Sequence, residues 1–385
     1  MEALSRMKRL AIVRQKYNPA GGAERFISRA LHALTQQHAL SVSLIARNWE
    51  KLEGIAECRV NPFYLGNLWR DWGFAWSARR RWQQEGFDLV QSHERIPGCH
   101  IFRAGDGVHR HWLQLRRRHL GWFGRLSLLL NPYHHYVQYA EKAMFQHPDL
   151  RLVVCNSHMV KQEVQHYFGL PDQRFAVVYN GVDTAQFHPQ LQQQYRAIMR
   201  AQYDIPAASP VMLYVGSGFE RKGVARALQV LQQFPDIYLV VVGGDKHAAR
   251  YHVLAERLGM QRRVRFTGAQ REVKPFYGMA DAFILPTLYD PFPNVCVEAM
   301  AAGLPVFTTT TCGSAELLTN GRNGWVAAVD DQQGWHDGVA YWLQHQQDWA
   351  SWCQQARQAV EGLTLPAMTD VMLQKYEKLL AVHTS

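Results

Sequence analysis

Short apolar runs alternate with helical patterns along nearly all of this 385-residue chain, and that rhythm restricts the fold more than any single motif. Residues 10–13, 42–46 and 89–92 read as strands, with helical patterns at 23–37 and 72–84 between them. A second series follows Asn180, with strands at 211–215, 238–242, 264–267, 282–285 and 306–309 and helices at 223–233, 248–258, 273–279 and 295–302. Parallel strands need a crossover, and a helix supplies it, so this alternation predicts parallel sheets covered by helices. Two series predict an α/β chain of two Rossmann-like domains, residues 1–178 and 179–365, followed by a final helix from 366 that runs to about 381. The join at 177–189, V-V-Y-N-G-V-D-T-A-Q-F-H-P, carries turn residues at Asn180 and Gly181 and a break at Pro189.

The length suffices for two separate cores, and 47% hydrophobic with 19% charged residues fits a globular chain. No stretch reaches the roughly 20 apolar residues that span a bilayer, and the run at 10–13 is too short for a signal peptide, so a cytoplasmic location is expected. Six cysteines lie scattered without C-x-x-C pairs, which argues against a disulfide framework or a structural zinc site.

The net charge of +10 is unevenly distributed. No acidic residue occurs between Asp106 and Glu141, while Arg110, Arg116, Arg117, Arg118 and Arg125 are interleaved with Trp112, Trp122, Phe123 and several leucines. A second basic and aromatic patch contains Trp69, Trp72, Phe74, Trp76, Arg79, Arg80, Arg81 and Trp82. Arginines suit lipid phosphates and aromatic rings suit the headgroup level, so the segment 107–140 is expected to meet an anionic membrane surface.

The stretch 290–305, D-P-F-P-N-V-C-V-E-A-M-A-A-G-L-P, places Asp290 and Glu298 eight residues apart across a loop-to-helix junction. Pro291 and Pro293 hold the loop open, and Gly303 ends the helix. The amides of Asn294, Val295 and Cys296 are expected at the helix N-terminus, where donors and dipole favour a diphosphate. Glu298 can reach a ribose diol, and Asp290 can receive sugar hydroxyls. This segment resembles the D/E-x7-E signature of the retaining glycosyltransferases of family 4, with Asp290 where that family usually has Glu. The resemblance implies the GT-B architecture, two Rossmann-like domains facing each other across a cleft, with the last helix crossing back to the first domain. It is closest to the bacterial lipopolysaccharide-core members.

Further segments carry the same resemblance. Gly21 and Gly22, in N-P-A-G-G-A-E-R-F, correspond to a first loop set against the donor diphosphate. V-G-S-G-F-E-R-K-G at 215–223 is not a G-x-G-x-x-G dinucleotide motif; it contains Gly216 in the donor site and Arg221 and Lys222 before a helix, where they can neutralise the leaving diphosphate. Ser217 stands where many members have Arg, which puts more weight on Arg221. The loop 266–273, F-T-G-A-Q-R-E-V, resembles the base-binding loop, with Gln270 beside the base. Asn180 and Asp183 belong to an N-G-V-D-x-x-x-F segment that lines the cleft in this family. On the acceptor side Asp106 matches an aspartate of the core glucosyltransferases, and His93 follows a strand.

No D-x-D occurs, so no metal and no cofactor beyond the donor is expected, with the Arg221 and Lys222 cations and helix ends in the ion's place. The reading is a metal-independent hexosyltransferase that moves a hexose, glucose first, from a UDP-sugar to a heptose of the lipopolysaccharide inner core, at the inner face of the cytoplasmic membrane. Two rivals within reach are a family 4 enzyme acting on another lipid-linked or capsular glycan and a UDP-sugar epimerase of the same fold, for which the basic aromatic segment has no use. A basic nucleic-acid-binding protein fits the charge but leaves Asp290, Glu298 and the glycines without a task, so no nucleic-acid partner is expected.

Overall fold

The computed structural model describes residues 8–15, 40–48 and 56–381. It divides into two compact units, Met1–Gly181 with Leu365–Ser385, and Val182–Thr364. The division falls after Gly181 rather than after Val178, and Val182 bridges Thr364 within the second unit.

The first unit is built on seven parallel strands: β1 (Lys8–Val13), β2 (Leu40–Ala46), β3 (Ala56–Arg59), β4 (Leu89–Ser92), β5 (Ile101–Ala104), β6 (Leu152–Cys155) and β7 (Phe175–Val177), in the order β3-β2-β1-β4-β5-β6-β7. β1 from Leu10 onward and β6 are buried on both faces and read as unbroken apolar runs, whereas the equally buried β4 and β5 carry Gln91 and Arg103. Leu10 and Ile12 of β1 pack on one face with Met368, Met372, Leu373 and Tyr376 of the helix Leu365–Ala381. Ala11 and Val13 point to the other face, toward Phe74, Ala78 and Trp82 of the helix Gly66–Glu85. That helix corrects the expected second patch: Phe74 and Trp82 are core, whereas Trp69, Trp72 and Trp76 on its opposite side are exposed. The glycines Gly21 and Gly22 and the helix expected at 23–37 lie outside the described residues.

Six parallel strands form the second unit: β8 (Val211–Val215), β9 (Tyr238–Val242), β10 (Val264–Gly268), β11 (Ala282–Leu285), β12 (Val306–Thr309) and β13 (Gly324–Ala327), in the order β10-β9-β8-β11-β12-β13. The helix expected at 223–233 is Val224–Leu231, and a short helical turn, Phe219–Lys222, precedes it, the two divided at Gly223 with φ of 84°. Only glycine fits there, because an added Cβ would sit 1.9 Å from the Pro286 carbonyl oxygen. Among the described residues no helix is long and apolar enough to cross a membrane.

Candidate active site

In each sheet the strand order reverses once, and ligands of open parallel sheets bind beyond the carboxyl ends of the strands at that reversal. In the second unit the reversal lies between β8 and β11. Gly216 follows β8, and the segment from Pro286 to Asp290 follows β11. The turn carrying Arg221 is tied to that segment: Leu288 N–H and the Thr287 hydroxyl both donate to the Arg221 carbonyl, at 2.8 and 3.0 Å.

Asp290 is buried and stands between two cations, with Oδ2 3.3 Å from Arg221 Nη1 and 3.7 Å from Lys222 Nζ. Its main chain is fixed as well, since its N–H donates to Thr311 and its carbonyl accepts from Gly313. Arg221 Nη1 also donates to the Tyr289 carbonyl at 2.9 Å. Among the described residues its Nε and Nη2 make no hydrogen bond, and the side chain is 40% exposed, so this edge of the guanidinium is presented outward. One carboxylate against two cations leaves a local positive charge, as a diphosphate site requires. The sequence separates a cationic diphosphate side from an Asp290 sugar side; in the structure these are one cluster. Lys222 lies along Gly216, where an added Cβ would come within 2.8 Å of Lys222 Cδ, so this glycine seats the lysine.

The helix Asn294–Ala301 follows Pro293, whose side chain offers no capping hydrogen bond. Cys296 N–H, expected among the free donors, donates to the Pro293 carbonyl at 3.1 Å. Glu298, half-buried one turn in, accepts at Oε2 a hydrogen bond of 3.0 Å from the Tyr277 hydroxyl. Tyr277 is buried, and burial first, then the Glu298 charge, pushes its pKa well above the usual 10. It therefore stays a donor that orients Glu298. Gln270 lies on the loop after β10, exposed, with its amide nitrogen donating to the Thr267 carbonyl at 2.7 Å.

In the first unit the reversal lies between β1 and β4. His93, directly after β4, is buried, 3.0 Å from Gln91 Nε2 and 3.5 Å from Arg14 Nη1. Burial first, then Arg14 and Arg103, pull its pKa well below 6.5, so the ring is neutral and a weak base. Its partners are interior ones, since Gln91 also accepts from the buried Tyr376 hydroxyl at 2.7 Å. Asp106 is exposed at the tip of the turn Gly105-Asp106-Gly107. A clamp holds that turn: Arg95 Nη2 donates to the Gly107 carbonyl at 3.0 Å and Arg95 Nε to Glu141 Oε1 at 2.9 Å, while Glu141 Oε1 accepts from His109 N–H at 3.0 Å. Glu94 stands beside it, Oε1 accepting from Gln15 N–H at 2.9 Å; burial first, then Asp106 and Asp71, raise its pKa.

Asn180 and Asp183 fall in different units. Asn180 Oδ1 accepts from the buried Arg103 at 3.0 Å, and Asp183 Oδ1 caps a turn by accepting from Ala185 and Gln186 N–H. Of the membrane set, Arg110, Arg117, Arg118, Trp122, Phe123 and Arg125 are exposed, whereas Trp112 and Arg116 are half-buried. Sequence reasoning missed Tyr277, Glu94, Arg95 and Glu141. Only Glu141 carried a signal, as the first acid after a 34-residue stretch (107 to 140) without one.

Family models match both halves of the chain, Glycosyltransferase Family 4 over residues 20–186 and Glycosyl transferases group 1 over residues 196–359. The lipopolysaccharide core biosynthesis glycosyltransferase LpsE of Rhizobium meliloti is 30% identical over 327 residues, covering 82% of this chain and 83% of that one. The chain belongs to the GT-B glycosyltransferases of family 4. Lipopolysaccharide glucosyltransferase WaaG of Escherichia coli is 26% identical to this glycosyltransferase over 323 residues, 81% of this chain and 83% of that one. The crystal structure of WaaG superposes with a TM-score of 0.79 at 23% identity, covering 94% and 98% of the two chains. Anabaena HepE, solved in complex with UDP-glucose, matches with a TM-score of 0.72 at 17% identity over 96% and 99%.

Proposed function

We propose that this glycosyltransferase moves a hexose, glucose first, from a UDP-sugar to a heptose of the lipopolysaccharide inner core, at the inner face of the cytoplasmic membrane. The observation that carries the donor side is the Arg221, Asp290 and Lys222 cluster at the strand-order reversal of the second unit, 3.3 and 3.7 Å across its contacts. Arg221 and Lys222 take the diphosphate with the amides of Asn294 and Val295, and Glu298, oriented by Tyr277, takes the ribose diol. Gln270, on the loop after β10, completes the donor set of this unit. Relatives named for lipopolysaccharide core synthesis support the acceptor class, and a fold neighbour solved with UDP-glucose supports the donor class.

In the reaction, the bond from the anomeric carbon to the diphosphate breaks and the acceptor oxygen bonds the same face of that carbon. The acceptor proton passes to the leaving diphosphate oxygen, so no strong protein base is required. The protein's two cations offset the charge that develops on the leaving group, and Asp106, exposed on a clamped turn with Glu94 beside it, orients the acceptor hydroxyl. Two cations from the chain itself support reaction without a divalent ion.

The test is transfer from UDP-glucose to a deacylated inner-core oligosaccharide, read as a hexose mass increment, in chelator. A product that forms in chelator supports the whole reading. Transfer restored only by magnesium refutes metal independence, and a panel of UDP-sugars that yields no product refutes the donor class.

A further inference from the structure

The helix Trp122–Leu130 of the first unit, W-F-G-R-L-S-L-L-L, buries none of its residues although seven of its nine are apolar or glycine. A helix apolar on every side without a covering partner marks an interaction site rather than a stable solvent-facing element. It packs beside His109–Arg118, and the segment is closed by Pro132–Phe145. Between the three lies a cavity of about 470 Å³, within the size range of small-molecule pockets. Leu113, Leu126, Leu128, Leu129 and Trp122 supply its apolar wall.

Arg110, Arg117 and Arg125 also line it. Arg125 is held in place, its Nε donating to the carbonyls of Leu120 at 2.9 Å and Arg117 at 3.1 Å. The segment 107–140 itself contains no acidic residue, and the nearest in sequence, Glu141, lines a neighbouring cavity that shares Arg110. Leucines and arginines lining one cavity match an amphiphile with one hydrocarbon chain and an anionic head. Sugars and nucleotides are poorly served by a wall of leucines, and a neutral lipid leaves the arginines unmatched.

We propose that this three-helix pocket is a discrete lipid site that takes one acyl chain of an anionic glycerophospholipid, with its phosphate on Arg110, Arg117 and Arg125. It rests on the membrane-surface part of the proposed function and adds to it a stoichiometric site. Surface attraction of basic residues is diffuse and fades with salt, whereas a chain in a pocket gives saturable binding that depends on the chain.

The experiment titrates monomeric dihexanoyl phosphatidylglycerol, below its micelle concentration, into the full chain by calorimetry, beside glycerol phosphate and dihexanoyl phosphatidylcholine. One-to-one binding is expected, weaker by about tenfold or more for either control. Leu129→Glu and Arg117→Glu, both at exposed positions, each lower affinity by a similar factor, with circular dichroism unchanged. Equal affinity for glycerol phosphate, or binding indifferent to both substitutions, overturns the proposal, as does saturation by an acylated core acceptor alone. Transfer to the deacylated oligosaccharide is measured in parallel. Its failure with lipid binding intact counts against the catalytic reading, and the reverse outcome counts against the lipid site.

Discussion

Replacing Tyr277 by Phe removes one atom from the second unit and isolates what that atom does for Glu298. The phenol ring sits edge-on to Phe187 at 5.4 Å and stacks with Phe283 at 6.2 Å, contacts that Phe preserves. What disappears is the 3.0 Å hydrogen bond to Glu298 Oε2 and a longer 3.4 Å approach to the Val295 carbonyl. A hydrogen bond to a charged acceptor contributes roughly 1.5–3 kcal/mol, and 1.4 kcal/mol is a factor of ten. Glu298 is half-buried and regains part of that from water, so the loss in donor affinity is expected near the lower end, about tenfold. The assay is calorimetric titration with UDP alongside initial rates against UDP-glucose. Donor KM rises by about that factor while kcat changes less, because the diol contact is remote from the breaking bond. Thermal stability stays near wild type. If donor affinity is unchanged while the melting temperature drops, Tyr277 is a packing residue only and the orienting role assigned to it is wrong.

Asp281 accepts from Arg196 at 2.6 Å, Arg200 at 2.7 Å and Val211 N–H at 2.8 Å, and Asp281→Ala strands the buried Arg200; a loss of roughly 3–5 kcal/mol, on the order of 10 °C in melting temperature, is expected by thermal unfolding. Gly223→Ala forces a Cβ against the Pro286 carbonyl at a φ of 84°, so both stability and UDP affinity fall, measured by denaturant titration and calorimetry. His109 is pulled from 6.5 to about 3, by burial first and then Arg95 and His134. Its unfolded form therefore binds the extra proton, so its stabilising contribution is complete above pH 6.5 and declines toward pH 3 at up to about 1.4 kcal/mol per pH unit. His109→Asn is expected to flatten that slope in denaturant midpoints taken between pH 7 and 5, and an unaltered slope contradicts it.

The parallel core strands were legible because burial on both faces writes them as pure apolar runs, as in V-M-L-Y-V at 211–215. Five of the described strands escaped: Leu152–Cys155 and Phe175–Val177 are apolar but only four and three residues long, and the other three lack such a run. Ala56–Arg59 is an edge strand with exposed Ala56 and Glu57, Ile101–Ala104 contains Arg103, buried against Asn180, and Gly324–Ala327 starts at a glycine. In the helix Gly66–Glu85 the spacing of Phe74, Ala78 and Trp82 by four residues marks the buried side, and Trp69, Trp72 and Trp76 mark the other, a phase that composition alone conceals. Asp290 and Glu298 could be read as a pair because they are local. The contacts of Asp290 with Arg221 and of Glu298 with Tyr277 could not, since they depend on which strands become neighbours.

The central claim is that Arg221 and Lys222 hold the nucleoside diphosphate without help from a metal. Calorimetric titration of UDP into the wild type and the Arg221→Ala/Lys222→Ala double variant, both in chelator, tests it directly. The account predicts clear binding by the wild type in chelator and a fall of about a hundredfold in the double variant, two charge-assisted contacts at roughly 1.4 kcal/mol each. Equal affinity of the two proteins, or no wild-type binding until magnesium is added, contradicts it.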